Sequence, residues 1–441
     1  MTQNKLSKKN RTIIDITQLV HWGGGLTGIP RVMNELSLRY AKNPNTFFVV
    51  WSKVANCFYE LDIDKSLARR GEGIFYKDKK ETTDTTITVL KTQQEHFFSL
   101  LKRAAKKVEK YNPRVYKKAA SRFNKAMLAE VGSIIQIEPN DELIVLWGEW
   151  GDDSYRAALL HAKENRATLI QVVYDMLPIV TPQYSGHSTS SMQDYYTQII
   201  PLCDLILSIS EYTKNDLKKW LRMQKLTIPK IEVFRLGDDF ALSRPKKPSD
   251  EQVKDVASGK ERYILCVGTV EARKNHTLLY YVYKLAKTRG HKLPKLVIVG
   301  RRGWKTDDII DIMKSDPDVS DDIVFMQDAS DEELSWFYRN CMFTVYPSFY
   351  EGWGLPIAES IAYGKPCISS GTSSMPEVAG ALIDYFSPLS TDECLNAITK
   401  LLSKKELDSA KKRINRYKIT SWDDTYDQVN NAIINLYATK S

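Results

Sequence analysis

Cysteine is scarce in this chain. Only six occur among 441 residues, at 57, 203, 266, 341, 367 and 394, with no C-x-x-C pair. Most lie inside apolar runs such as Ile264-Leu265-Cys266-Val267, so they read as reduced core residues of a cytosolic protein. Long hydrophobic runs are missing too: no apolar stretch reaches 18 residues, and Met1 to Arg11 is polar and lacks a signal-peptide core. The expectation is a protein that neither spans a membrane nor leaves by the secretory route. No repeat of 20–50 residues and no low-complexity tract is found. With 43% hydrophobic and 27% charged residues, the composition excludes disorder and fibrous structure and supplies material for sizeable cores.

The formal charge is +9, and its location matters more than its sign. Between Lys102 and Lys125 ten Lys or Arg face a single acid, Glu109, so this stretch accounts for the whole excess and the rest of the chain is neutral. In 94–111 the residues Phe97, Leu101, Ala104, Ala105, Val108 and Tyr111 share one helical face, which puts the lysines on the other. Such a face is either ordinary solvated surface or a patch that meets anionic lipid. Nucleic acid is not expected, because no recognised module accompanies the charge.

Short β-branched runs alternate with helical patterns: Thr12–Ile16, Phe47–Trp51, Leu143–Trp147, Thr168–Tyr174 and Leu205–Ile209, then Tyr263–Val267, Lys295–Val299, Ile323–Met326, Phe343–Tyr346 and Pro366–Ser369. This alternation predicts α/β architecture with two parallel sheets. The polar stretch Gly237–Lys260 separates the two series, giving a first domain over 1–240, with a less regular, helical insertion at about 52–130 in which 94–130 reads as two long helices interrupted at Pro113, and a second over 261–420. The segment 421–441 is expected to form an amphipathic helix that packs back on the first domain.

Ligands of open α/β sheets bind beyond the carboxyl ends of the strands, so the residues after each strand carry the chemistry. After the first strand comes Gly23-Gly24-Gly25-Leu26-Thr27-Gly28-Ile29-Pro30-Arg31, a glycine loop entering a helix and suited to acceptor or phosphate contact through Gly25, Gly28 and Arg31. It lacks both the dinucleotide G-x-G-x-x-G and the P-loop lysine. Asp175 ends an apolar strand, where it either caps the next turn or orients and deprotonates a hydroxyl. His187 reads as a loop histidine. The second series opens with Gly268 followed by Arg273-Lys274-Asn275, two cations at a helix start that suit a diphosphate. Gly300-Arg301-Arg302-Gly303-Trp304 is a weaker parallel, and the loop at Asp328, before a capping box of Ser330 and Glu333, is a candidate lining for a base. The densest constellation is Glu351-Gly352-Trp353-Gly354-Leu355-Pro356 with Glu359 inside the following helix. Its glycines free backbone N–H groups for an anion, and its two carboxylates can accept hydrogen bonds from sugar or ribose hydroxyls. Asp62-Ile63-Asp64 resembles a metal-binding D-x-D but lies in the irregular insertion and is read as surface.

Together Val267-Gly268, Arg273-Lys274-Asn275, Val297-Ile298-Val299-Gly300, Glu351 to Glu359 and Ala362-Tyr363-Gly364-Lys365-Pro366 with Met375-Pro376-Glu377 resemble the retaining glycosyltransferases of family four. Thr27 to Val32 and Tyr174 to Pro178 resemble the bacterial lipopolysaccharide and O-antigen mannosyltransferases of that family. The resemblance implies a GT-B fold, two Rossmann-like domains facing a cleft. It implies further that Lys274 and Arg273 contact the diphosphate of a nucleotide-sugar, that Glu359 binds the ribose, and that Glu351 lies near the reacting carbon of the donor sugar. Two departures stand out. Thr269 occupies a position that is basic in many members, so that phosphate neutralisation would rest on Arg273, Lys274 and Arg31, and Asp175 stands where many relatives place a histidine.

The expected reaction is transfer of a sugar, with GDP-mannose favoured as donor, to a hydroxyl of a glycan or lipid-linked glycan in surface polysaccharide synthesis. It proceeds with retention and needs neither metal nor cofactor. The expected location is cytoplasmic, with a possible anionic membrane surface met through 102–125. The competing reading is a non-catalytic membrane or nucleic-acid binder on the same scaffold.

Overall fold

The computed structural model describes residues 11–22, 28–53, 55–61, 133–186, 188–239, 245–327 and 329–438. Eight strands form the first sheet: β1 (Thr12–Asp15), β2 (Thr46–Ser52), β3 (Cys57–Glu60), β4 (Ile134–Ile135), β5 (Glu142–Val145), β6 (Thr168–Val173), β7 (Leu205–Ser208) and β8 (Ile231–Val233). Their order is β4-β3-β2-β1-β5-β6-β7-β8. Pairing is parallel except where β3 meets β2 and β4. The central strands β1 and β6 are buried at every position, the mark of a parallel sheet covered on both faces.

The second sheet holds β9 (Tyr263–Val267), β10 (Lys295–Val299), β11 (Ile323–Met326), β12 (Thr344–Tyr346), β13 (Cys367–Ser370) and β14 (Asp384–Phe386). All pairs are parallel, in the order β11-β10-β9-β12-β13-β14. This is the 3-2-1-4-5-6 arrangement of a doubly wound sheet, whose topological switch lies between the strands here labelled β9 and β12. The loops after those two strands are the ones that carry Arg273, Lys274 and Glu351.

Every strand expected from the β-branched runs is present, with ends shifted by at most two residues. Cys57–Glu60, Ile134–Ile135, Ile231–Val233 and Asp384–Phe386 are additional. They are short edge or near-edge strands, held by their neighbours rather than by a long apolar run of their own.

The helix Trp422–Ala438 crosses back to the first sheet. It packs along the helix Ile29–Tyr40, with Tyr40 donating to Asn430 at 3.2 Å and Arg39 to Asp423 at 2.7 Å. At the crossing, a Cβ on Gly237 would come within 2.5 Å of the Trp422 indole, so only glycine fits there. One apolar core runs through Val32, Leu36, Trp353, Ile357, Met375 and Val429, and thereby joins both sheets to the returning helix. All six cysteines are free thiols, five of them buried. No helix among the described residues is long and apolar enough to cross a membrane.

Candidate active site

The strongest electrostatic feature is a buried cage around Glu351. The loop leaving β9 passes through Gly268, whose φ of +140° suits glycine, and then makes a short turn in which Arg273 and Lys274 precede the helix His276–Thr288. Lys274 runs beneath Gly268, with Cε 3.5 Å from where a Cβ on that glycine would stand, and its Nζ lies 2.7 Å from Glu351 Oε1. Arg273 pairs through Nη1 with Glu351 Oε2 and through Nε with Glu271 at 2.6 Å. The Tyr346 hydroxyl accepts from Lys274 and donates to Glu351 Oε1 at 2.6 Å, where Ser348 also donates at 2.8 Å.

Burial disfavours the Glu351 charge, but Arg273 and Lys274 outweigh it and hold the carboxyl at about 2. Burial pulls Lys274 below its ordinary value, with Glu351 opposing. Glu351 is therefore an ionised anchor that fixes two cations at the mouth of a helix, where a departing diphosphate would need them.

The turn after Glu351 is set by packing and by hydroxyls. Gly352 presses on the first sheet's Tyr174 so closely that a Cβ would lie 2.0 Å from its carbonyl oxygen. Gly354, at φ +135°, starts the helix Leu355–Ala362, and Leu355 packs into the shared core. Ser374 donates to the carbonyls of Glu351 at 2.7 Å and Trp353 at 2.9 Å, while Ser373 accepts from the Glu351 N–H at 3.0 Å. Trp353 is buried, and the Arg235 guanidinium sits 5.8 Å from its ring centroid. Gly300 has a packing role: a Cβ there would meet the Gly268 carbonyl oxygen at 2.0 Å, so it lets the loops after β9 and β10 touch.

Glu359 lies apart from the cage. Its Oε1 is bridged by Arg31 Nη1 at 2.9 Å across the cleft, and its Oε2 accepts from Tyr338 at 2.8 Å. Arg31 thus meets the carboxylate expected to take a ribose. Gly28, at φ +58°, positions Arg31 at the start of its helix. Asp175 accepts from the Leu177 N–H at 2.9 Å, which is the capping role, and also lines a pocket beside Gly352.

Further contacts clasp the halves together. Trp304 Nε1 donates to the Tyr184 carbonyl at 3.0 Å, Tyr184 stacks on Phe349 with centroids 4.7 Å apart, and Tyr350 donates to Asp216 at 2.7 Å. Both Glu377 oxygens accept from the N–H groups of Glu211 and Tyr212, at 2.8 and 2.7 Å. The capping box of Ser330 and Glu333 is present as expected. Gly25, His187, Asp328, Asp62, Asp64 and the basic stretch 102–125 lie outside the described residues.

Sequence reasoning passed over Glu271, Tyr346, Ser348, Ser373 and Ser374. The run Ser369-Ser370-Gly371-Thr372-Ser373-Ser374, small hydroxyl residues packed after a strand, was the signal for the last two.

Two Rossmann-like halves, one with a mainly parallel and one with a wholly parallel sheet, meeting at a turn that cages cations, make up a GT-B fold. Residues 248–418 match the family model described as glycosyl transferases group 1. Among named proteins the chain is 25% identical over 237 residues to O-antigen chain mannosyltransferase B of Escherichia coli, covering 53% of this chain and 60% of that one. It is 29% identical over 252 residues to O-antigen chain mannosyltransferase RfbU of Salmonella typhimurium, covering 56% and 63% respectively. The match thus spans less than two thirds of either relative. Among solved structures, sucrose-phosphate synthase from Thermosynechococcus elongatus superposes with a TM-score of 0.58 at 14% identity, over 98% of this chain and 100% of that one, which shows the fold.

Proposed function

We propose that this protein transfers a hexose, with mannose from GDP-mannose favoured, from a nucleotide-sugar to a hydroxyl of a glycan acceptor in surface polysaccharide synthesis, with retention at the anomeric carbon and without metal or cofactor. The observation that carries the reading is the Glu351 cage, which fixes Arg273 and Lys274 at a helix start beside the Gly352–Gly354 turn. In the reaction the bond from the anomeric carbon to the diphosphate oxygen breaks and the acceptor oxygen bonds to the same carbon. The acceptor proton passes to the departing diphosphate. Charge builds on that diphosphate, so fixed cations and N–H donors there lower the barrier. Glu359 then serves the ribose once Arg31 lets go, and Asp175 orients the incoming hydroxyl. The mannosyltransferase relatives support the choice of sugar. A lipid-linked acceptor, with the protein held at the inner membrane face through 102–125, completes the reading and is checked by liposome sedimentation.

The test is nucleotide release from a panel of GDP-, UDP-, ADP- and CDP-sugars with a mannose-containing oligosaccharide as acceptor. Acceptor-dependent release from GDP-mannose, lost in Lys274→Ala, is the expected result. A panel in which no donor is consumed overturns the proposal.

A further inference from the structure

The donor turn is built on the short helix Met375–Ala379, whose Met375 and Val378 are buried in the shared core. A Cβ on Gly354 would stand 3.3 Å from Val378 Cγ2 and 3.7 Å from Met375 Cγ. Ser374, at the head of the short helix, donates to the Glu351 and Trp353 carbonyls, and Ser373 accepts from the Glu351 N–H. Glu377 of the same helix reaches instead into the first half. Its Oε2 accepts from the Glu211 N–H and its Oε1 from the Tyr212 N–H, the first two residues of the helix Glu211–Met223. That helix also has a cap of its own, Ser210, whose hydroxyl accepts from the Thr213 N–H at 3.0 Å. The free donors of one helix start are therefore divided between the two halves. The same helix holds Asp216, which accepts from the Tyr350 hydroxyl, and Tyr212, whose ring meets that of Tyr350 edge to face at 6.0 Å. Tyr350 directly precedes Glu351. One helix of the first half thus touches the Glu351 loop at Tyr350 and its support at Glu377.

We infer that Glu377 is a positioning residue of the transfer reaction: seated on the start of the helix Glu211–Met223, it ties closure of the halves to the geometry of the turn from Glu351 to Gly354. This rests on the function proposed above, whose donor turn it serves, and adds how the first half acts on that turn. A carboxylate complements the positive end of a helix, yet this one is exposed. The contact is strong enough to bias closure and weak enough to be released in each turnover. Both donors are backbone groups, so the seat depends on where the helix begins rather than on a particular side chain there.

The full-length protein is compared with Glu377→Ala, Glu377→Gln, Glu211→Pro and Glu211→Ala. Proline fits the first residue of a helix, and Ser210 before it is already extended, at φ −155° and ψ 157°, so Glu211→Pro deletes one donor and keeps the helix. Glu211→Ala removes the side chain and keeps the N–H. The expected loss of kcat is about three- to ten-fold in Glu377→Ala, smaller in Glu377→Gln and Glu211→Pro, and under about two-fold in Glu211→Ala, with GDP affinity by calorimetry changed by less than about two-fold throughout. Adding Glu211→Pro to Glu377→Ala costs less than about two-fold more, because both remove one contact. In hydrogen exchange read by mass spectrometry, the amides of 350–354 exchange about five-fold faster in Glu377→Ala and in Glu211→Pro, while those of Tyr263–Val267 are unchanged and report that the variants are folded. An unchanged kcat in Glu377→Ala, losses that multiply fully in the double variant, or equal losses in Glu211→Ala and Glu211→Pro overturns the inference. Failure to consume any nucleotide-sugar sinks the proposed function instead, and exchange at 350–354 then still decides whether Glu377 positions that turn.

Discussion

Two acid–cation pairings hold this cleft, and they are built to opposite specifications. Around Glu351, two cations and two hydroxyl donors converge on one carboxylate that is 7% exposed, all of them supplied by the second half. Arg31 and Glu359 form a single bridge between the halves, with side chains 20% and 12% exposed. The first lies wholly within the second half and needs no contact with the first half to exist. The second exists only while the halves touch, and its acid is the group a ribose is expected to claim. Permanent electrostatics and conditional electrostatics are thus separated between the loop at Glu351 and the helix Leu355–Ala362 that follows it.

The largest expected effect comes from breaking the permanent pairing. Glu351→Ala leaves two buried cations without their main counter-charge, a loss of about 3–5 kcal/mol, which chemical denaturation should detect as an earlier midpoint. Lys274→Ala should lower turnover by about 10²–10³, as removal of a transition-state donor does, with nucleotide release as the readout. An unchanged rate in Lys274→Ala would mean that the cage is purely structural. Next, Gly352→Ala should cut turnover at least ten-fold by forcing the donor turn off Tyr174, and small-angle scattering should register a more open pair of halves.

Acid sensitivity sharpens the contrast further. The Glu351 carboxyl titrates at about 2, so its contribution is complete above the ordinary carboxylate range and fades only as pH falls toward 2. Near neutrality two buried groups are sensitive: Asp15, which burial raises to about 6 so that its share of stability grows as pH falls, and, acting the other way, His276, which burial and then Lys274 lower from 6.5 to about 3. Held neutral in the fold but free to protonate when unfolded, His276 makes stability decline as pH drops below 6.5. Its share of the loss is about 2 kcal/mol by pH 5. Its ring nitrogens have no partner among the described residues, so His276→Leu should flatten that decline without a large penalty at pH 7.5, as urea midpoints at both pH values would show. The smallest effect belongs to the conditional bridge. Arg31→Ala should tighten nucleotide binding by up to about five-fold, the scale of a partly exposed ion pair, because Glu359 no longer has to be released; calorimetry checks it, and weaker binding would show that Arg31 itself holds the ligand.

Much of this was legible in the chain. The β-branched runs marked ten strands, and the Arg273-Lys274 and Glu351–Glu359 motifs marked the two loops at the switch of the second sheet, because each signal is local. Other features were not. That Glu351 meets Lys274 depends on two loops from non-consecutive strands, and that Arg31 reaches Glu359 depends on how the halves close; neither leaves a spacing to read. Trp147 reads as the end of a strand, whereas the strand stops at Val145 and the ring meets Tyr174 and Trp150.

The returning helix has a consequence for how the molecule is made. Tyr40 waits for Asn430, and Gly237 for Trp422, so the portion synthesised first gains this wall only once synthesis has passed residue 430. At typical elongation rates that interval is about 20–80 s. During it the flank of Ile29–Tyr40 that the returning helix will cover lacks the contacts that Asp423 and Asn430 supply.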